Sequence, residues 1–253
     1  MDLILFDLLL VLVAFLYVGA TILIPIQLKK RDKITKFQAR KIVHLFAGLA
    51  VLTTPYFNWP WWAIFIAGAL TVVTLFSSRN SKVKKLKELY DSIGEEAEEK
   101  KGFLEGPFHY CLSITFLITL FLIIPEADKQ LYFPISGILI MIISDTLASI
   151  FGKKYGKHNI NLKYTGTIRT LEGSLVFFVS AFILCFGTFF IFGYLPCDTQ
   201  ITLGLDSVFL YTIITSVLAT LIELISPSTY DDLTVPISTT LIIWLLAYVP
   251  TLL

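Results

Sequence analysis

The sequence predicts an all-α, polytopic transmembrane helix bundle of about eight spans, and three observations carry that expectation. The mean hydropathy is +0.78, with 56% hydrophobic residues and only 15% charged ones, too apolar for an ordinary soluble domain of 253 residues. The charges are bunched, leaving long stretches almost without them. The basic residues also fall in alternate loops, as the positive-inside rule requires of a chain that crosses the bilayer repeatedly.

A helix needs about 20 predominantly apolar residues to cross the hydrocarbon core. Runs of that kind lie near 3–28, 42–57, 61–78, 108–125, 131–151, 173–195, 206–226 and 235–252. The first is read as a retained span: Asp2 and Asp7 stand where a signal peptide would carry Lys or Arg, and the run is too long for a signal core. The second and third are short, and only Asn58-Trp59-Pro60 separates them. Tyr56, Trp59, Trp61 and Trp62 around that break suit an aromatic belt at one interface.

The loop charges test the spans independently. Lys29, Lys30, Arg31, Lys33, Lys36, Arg40 and Lys41 follow the first run; Arg79, Lys82, Lys84, Lys85, Lys87, Lys100 and Lys101 follow the third. Lys153, Lys154, Lys157, Lys163 and Arg169 follow the fifth, and the opposite side receives only Lys129 of the twenty basic residues. Eight spans with both termini on the non-cytoplasmic side account for this distribution. The economical assignment is one integral membrane domain over 1–253, with cytoplasmic loops near 29–41, 79–107, 152–172 and 227–234. In the longest loop, a basic start (Lys82 to Lys87) and an acidic end (Glu95 to Glu99) suggest a solvated helix with internal ion pairs.

Other classes find little support. A net charge of +1 points to no nucleic-acid partner. Cys111, Cys185 and Cys197 share no motif spacing, so neither a disulfide framework nor a zinc site is expected.

Charged groups at membrane depth are costly, and each needs a reason. Asp145 interrupts the fifth run, Glu172 opens the sixth, and Glu223 lies near the end of the seventh, shortly before Pro227 and the pair Asp231-Asp232. In the eight-span arrangement all five carboxylates approach the face that holds the basic loops. Structural roles compete with functional ones: a macrodipole contact for Glu172, a lysine partner for Glu223, an N-cap for Asp231 and Asp232. Asp145 has no such alternative. Arg40 and His44, four apart, share a helix face beside Lys41 at the mouth of the second span. There a snorkelling arginine with an incidental histidine is the ordinary alternative. His109 and His158 are read as incidental.

The stretch Gly152-Lys153-Lys154-Tyr155-Gly156-Lys157 invites a phosphate reading but is not a Walker A loop, since three residues separate the glycines and no Ser or Thr follows the lysine. With Lys163, Gly166, Thr167, Arg169 and Thr170 it nevertheless offers cations and flexible backbone opposite several carboxylates. Carboxylates for Mg²⁺ beside cations for phosphates are the shared parts of phosphoryl-transfer sites.

Ser144-Asp145-Thr146-Leu147-Ala148-Ser149-Ile150-Phe151-Gly152, then Gly156, then Arg169-Thr170-Leu171-Glu172-Gly173-Ser174 resembles the nucleotide-binding region of the polyprenol kinase family. That family includes dolichol kinase, phytol kinase and a CTP-dependent diacylglycerol kinase, and is distantly related to phosphatidate cytidylyltransferases. Arg40, Lys41 and His44, and Glu223 followed by Asp231-Asp232-Leu233-Thr234-Val235-Pro236, resemble the family as well. The resemblance runs from about residue 40 to 240. Arg169 stands where the family usually has lysine, and Asp232 where it has asparagine. The resemblance implies phosphoryl transfer from CTP to the hydroxyl of a membrane lipid alcohol (dolichol or polyprenol, phytol-like, or diacylglycerol) at the cytoplasmic face. It implies catalytic roles for Asp145, Glu172 and Asp232, with Mg²⁺ on Asp145, Glu223, Asp231 and Asp232. Nucleotide contacts would come from Gly152, Lys153, Lys154, Gly156, Lys163, Arg169, Thr170 and Gly173, and from Arg40, Lys41 and His44. A cytidylyltransferase, which would release pyrophosphate, and a transporter are the competing classes. Against transport, the acids gather at one interface and no inverted repeat is visible.

The charge pattern makes a direct prediction about sidedness. In a cysteine-depleted background, Asp198→Cys should react with an impermeant thiol reagent from outside, and Ile160→Cys only from the cytoplasm. Labelling of both from the same side would rule out eight spans.

Overall fold

The computed structural model describes residues 3–94, 98, 101–166, 168–227 and 230–252. Its long elements are helices: α1 (Leu3–Lys30), α2 (Lys36–Ala47), α3 (Trp61–Phe76), α4 (Lys84–Ile93), α5 (Glu105–Ile123), α6 (Tyr132–Tyr155), α7 (Leu171–Tyr194), α8 (Leu205–Ile225) and α9 (Asp231–Leu252). Each of the eight apolar runs is helical. Among the described residues five helices, α1, α5, α6, α7 and α8, are long and apolar enough to cross a membrane, and the protein is a membrane protein on that ground. The chain packs as two compact units, 1–119 and 120–253.

In the first unit the short runs are explained by local geometry. Thr35 opens α2 with a capping box: its side chain accepts from Gln38 N–H at 3.2 Å while Gln38 accepts from Thr35 N–H at 2.9 Å. Beyond Ala47 the chain continues as a 3₁₀-helix over Gly48–Tyr56, which rises about 2 Å per residue instead of about 1.5 Å. α2 and this segment together therefore extend about 36 Å, although neither does so alone. The tight break at Asn58-Trp59 is held by Asp7 of α1. Its carboxylate, buried, accepts from Asn58 N–H (2.9 Å), Asn58 Nδ2 (3.0 Å) and Trp59 N–H (2.9 Å). An acidic residue in an apolar helix is thus compensated by backbone donors that a turn leaves unpaired. Most of α1 otherwise presents Leu and Ile outward, with only 17% of its span buried, which suits contact with lipid.

The charged loop departs from the sequence expectation. Its helix, α4, is short, and it is not simply solvated. Leu89, Tyr90 and Ile93 pack with Ile26, Ala39 and Leu104 in a small core, while its lysines stay exposed. Lys30 at the end of α1 pairs with Glu88 at 2.8 Å, and that hydrogen bond holds the Glu88 carboxyl below its ordinary range. Glu95, Glu96, Glu99 and Lys100 of the expected acidic end lie outside the described residues.

In the second unit α6 is the central helix, with 61% of its span buried. At one end Tyr132, Phe133, Phe189 and Tyr211 form a cluster of rings. There Gln200 accepts from Leu131 N–H at 2.7 Å, and Trp244 donates its indole N–H to Gln130 at 2.8 Å. Midway, α6 passes through a π-helical turn at Ile140–Ser144, immediately before Asp145. A short antiparallel hairpin, β1 (Asn159–Asn161) with β2 (Ile168–Thr170), joins α6 to α7. The all-α expectation did not include it. Gly166, with φ +75°, makes its return possible.

α6 and α9 approach closely at Gly137, where a Cβ would collide with Thr240 Oγ1 and stand 2.9 Å from the Pro236 carbonyl. Gly137→Ala should therefore destabilise the protein by about 1–3 kcal/mol, read as a lowered melting temperature in detergent.

Candidate active site

The carboxylates singled out in the sequence gather at one end of the second unit, and Arg169 organises them. β2 carries Arg169 opposite Ile160. From there the guanidinium Nε donates to Glu223 Oε1, Nη1 donates to the Ser226 carbonyl at 2.9 Å and the Leu224 carbonyl at 3.4 Å, and Nη2 stands 3.9 Å from Asp231 Oδ2. One side chain thus satisfies the last carbonyls of α8 and bridges to the first residue of α9. Arginine suits this place because its planar fork serves several acceptors at once; a lysine would serve fewer. Both partners are largely withdrawn from solvent, at 11% exposure for Arg169 and 9% for Glu223. The second oxygen of Glu223 is buried and has no hydrogen-bond partner among the described residues.

Asp145 opens the part of α6 that follows the π-turn and lies within electrostatic reach of both Glu223 and Asp231. Asp231 also accepts from Asp232 N–H at 3.0 Å. Four of the predicted acids, Asp145, Glu223, Asp231 and Asp232, therefore belong to one electrostatic neighbourhood. Among the described residues no three His, Cys, Asp or Glu side chains stand close enough to hold a metal by themselves.

Glu172 has a separate task. Its carboxylate accepts from Lys157 N–H (3.1 Å) and His158 N–H (3.3 Å) and pairs with His158 Nδ1 at 2.7 Å. It pins the segment after α6 to the start of α7. Thr170 completes the junction as N-cap of α7, accepting from Gly173 N–H at 3.1 Å. His158, passed over in the sequence, is the partner that reading missed. A short polar residue fourteen positions from its acid leaves no local signal.

The glycines prove to be contacts between helices. A Cβ on Gly152 would stand 2.9 Å from Thr170 Oγ1, and one on Gly173 would stand 3.1 Å from the Ala148 carbonyl and 3.3 Å from the Gly152 Cα. Gly156 ends α6 with its N–H on the Gly152 carbonyl at 3.0 Å, and a Cβ there would also collide with Thr170. Gly152, Gly156, Thr170 and Gly173 let α6 and α7 meet closely beside the carboxylates. Lys153 and Lys154 are exposed at the end of α6, Lys154 with its Nζ 5.0 Å from the Tyr155 ring centroid, and Lys163 is exposed in the hairpin turn. Thr167 lies outside the described residues.

Arg40, Lys41 and His44 fall in the first unit. Arg40 Nη1 donates to Glu98 Oε2 at 2.9 Å, and Glu98 Oε1 accepts from Gly106 N–H at 2.9 Å. His44 lies against Tyr110, ring centroids 4.4 Å apart, and the Tyr110 hydroxyl donates to the His44 carbonyl at 2.8 Å. Glu98 was not singled out in the sequence, because it sits within a run of glutamates that all read alike.

Carboxylates at the ends of apolar helices, joined by a buried guanidinium and flanked by a basic hairpin, define a membrane protein with a charged site. Its sequence is similar to those of a phytol kinase and a dolichol kinase. The chain is 28% identical to the phytol kinase of Synechocystis sp. over 240 residues, which is 92% of this chain and 89% of that protein. It is 29% identical to the dolichol kinase of Saccharomyces cerevisiae over 162 residues, 64% of this chain and 29% of that one. No protein-family model and no solved structure matches the chain.

Removing the guanidinium leaves Glu223 buried without compensation, which typically costs about 3–5 kcal/mol. Arg169→Ala should lower the melting temperature sharply, and the double variant with Glu223→Gln should recover part of the loss. Additive losses in the double variant would show that the pair is not coupled.

Proposed function

We propose that this protein is a CTP-dependent kinase of a membrane lipid alcohol, acting at the cytoplasmic face. The observation that carries the reading is the similarity, over 92% of the chain, to a protein named phytol kinase, together with the pairing of Arg169 with Glu223 and Asp231, the acids to which Asp145 and Asp232 are neighbours. The naming of CTP rests on the family resemblance of the motifs, and dolichol-like, phytol-like and diacylglycerol acceptors all suit an apolar chain with one hydroxyl.

In this reading the acceptor oxygen bonds to the terminal phosphorus of CTP, the bond from that phosphorus to the bridging oxygen breaks, and CDP leaves. The hydroxyl proton passes to a carboxylate, Asp145 or Asp232. Lys153, Lys154 and Lys163, exposed cations at the end of α6 and in the hairpin turn, neutralise phosphate oxygens. Glu172 acts as a positioning residue, since it ties the segment at Lys157 and His158, between the end of α6 and the hairpin, to the start of α7. Arg169 has a different part from the phosphate ligand inferred from sequence. Engaged by Glu223 and two carbonyls, it holds the acids in place.

Mg²⁺ fits the donor set: it takes one or two carboxylates and completes its shell with water and substrate phosphates. Asp145 with Asp231 or Asp232 would hold it, and Glu223, with one oxygen unpartnered, stands beside them. When bound, the ion supplies charge neutralisation of the triphosphate.

Three measurements test this. Purified protein given CTP and a panel of lipid alcohols should yield CDP and the phosphorylated alcohol; pyrophosphate would point to a cytidylyltransferase, and neither product to transport. ATP should support slower turnover than CTP. Asp145→Asn should lower turnover by about 10²–10³-fold with an unchanged melting temperature, because it removes a charge from a nearly isosteric side chain. Near-normal activity in that variant would move the site to Glu223 and Asp231-Asp232.

A further inference from the structure

The first unit contains a cavity that the proposed chemistry does not use. Its walls come from α2, the 3₁₀ segment, α3 and α5, with Ile22 of α1 and Leu89 and Ile93 of α4 at the margins. Along one wall the lining runs from Arg40 to Thr54, about 25 Å of helix. The interior is almost wholly apolar, and Ala47, Gly48, Ala63 and Ala67 leave room where larger side chains would close it. Val51, Ile66 and Ile118 of its lining are buried, so the space reaches in between the helices.

One end differs. Arg40 and His44, one turn apart on α2, line the cavity there. Arg40 is paired with the buried carboxylate of Glu98 at 2.9 Å, the guanidinium being 17% exposed and the carboxylate 6%. That end therefore offers hydrogen-bonding groups without net charge from the pair. An anionic head group would bring a second negative charge beside the Glu98 carboxylate, where the one positive charge of Arg40 is already compensated. A hydroxyl can join the existing network without disturbing it.

We propose that this cavity binds the chain of the alcohol acceptor as a single apolar tail, with its uncharged hydroxyl at the Arg40–His44 end. The inference rests on the lipid-alcohol kinase reading and gives the acceptor a binding site within residues 22–118. It also gives Arg40 and His44 a role toward the alcohol instead of the nucleotide contact expected from the resemblance. The recognised feature is a long apolar chain bearing one neutral polar group.

The test uses the full chain in nanodiscs and a long-chain isoprenoid alcohol carrying a diazirine in its tail. Photolabelling should fall on peptides covering 43–54 and 63–74, and excess unmodified alcohol should suppress it. The phosphate ester of the same alcohol should compete more weakly. Ala67→Phe and, independently, Ala47→Leu fill the cavity from different walls; each should reduce labelling several-fold and raise the KM for the alcohol about tenfold, with the KM for CTP unchanged. Val72→Phe, on the exposed face of α3, should change neither. Labelling spread over the outer face of α1, or unchanged labelling and alcohol KM in both filled variants, would overturn the proposal, as would equal competition by the phosphate ester. Transfer to the alcohol with labelling elsewhere sinks the cavity and spares the kinase reading. Labelling as expected with no transfer to any alcohol sinks the kinase reading and shows the cavity to be a lipid site of another kind, so the assignment to an acceptor falls with it.

Discussion

Carboxylates at the ends of apolar helices can persist only where something compensates them, and in the second unit that something is Arg169. Its four polar contacts reach the last turn of α8 and the first residue of α9. The hairpin that carries it exists because the chain leaving α6 must return to the same end of the unit to begin α7. Once Arg169 is in place, the spacing of Glu223 and Asp231 follows. The close meeting of α6 and α7 through Gly152 and Gly173 sets how near Asp145 comes to the rest. Electrostatics and packing are here one constraint: a bulkier residue at either glycine would widen the helix pair and weaken a charge arrangement that has little water to screen it.

The first unit solves the same problem with different parts. Asp7 is compensated by backbone donors of a turn, and Glu98 by Arg40 together with the amide of Gly106. In both cases a partner from far along the chain, 51 and 52 residues away for Asp7 and 58 for Glu98, supplies hydrogen bonds. These pairs fix which segments meet, since apolar side chains against lipid distinguish one neighbour from another only weakly.

That also explains what the sequence made legible. Long apolar runs and the distribution of Lys and Arg report on transfer free energy, which is local and additive, so all eight helical runs could be placed within a few residues. Asp145, Glu223 and Asp231 were visible for the same reason, as charges where hydropathy forbids them. The partners were less visible. His158 and Glu98 occupy polar stretches where a charge is unremarkable, and only the folded chain shows what they face. Gly152 and Gly173, where the resemblance implies nucleotide contacts, also stand at a helix crossing, and the two roles leave the same trace in a sequence. The amphipathic face of α4 was obscured by its lysines, which mask Leu89, Tyr90 and Ile93 in a count of charge.

The π-turn at Ile140–Ser144 has a further consequence for how α6 should be compared with other chains. Such a turn accommodates one residue more than a regular helix would over the same rise. A helical wheel drawn through Tyr132–Tyr155 at constant pitch therefore assigns the residues on one side of the turn to faces offset by about 100°. Gly137 and Asp145 lie on opposite sides of it. An alignment that tracks hydropathy alone would pass smoothly over a relative lacking that extra residue, and would pair side chains that point in different directions. In this helix a single-residue gap carries stereochemical information, and its proper position is within 140–144.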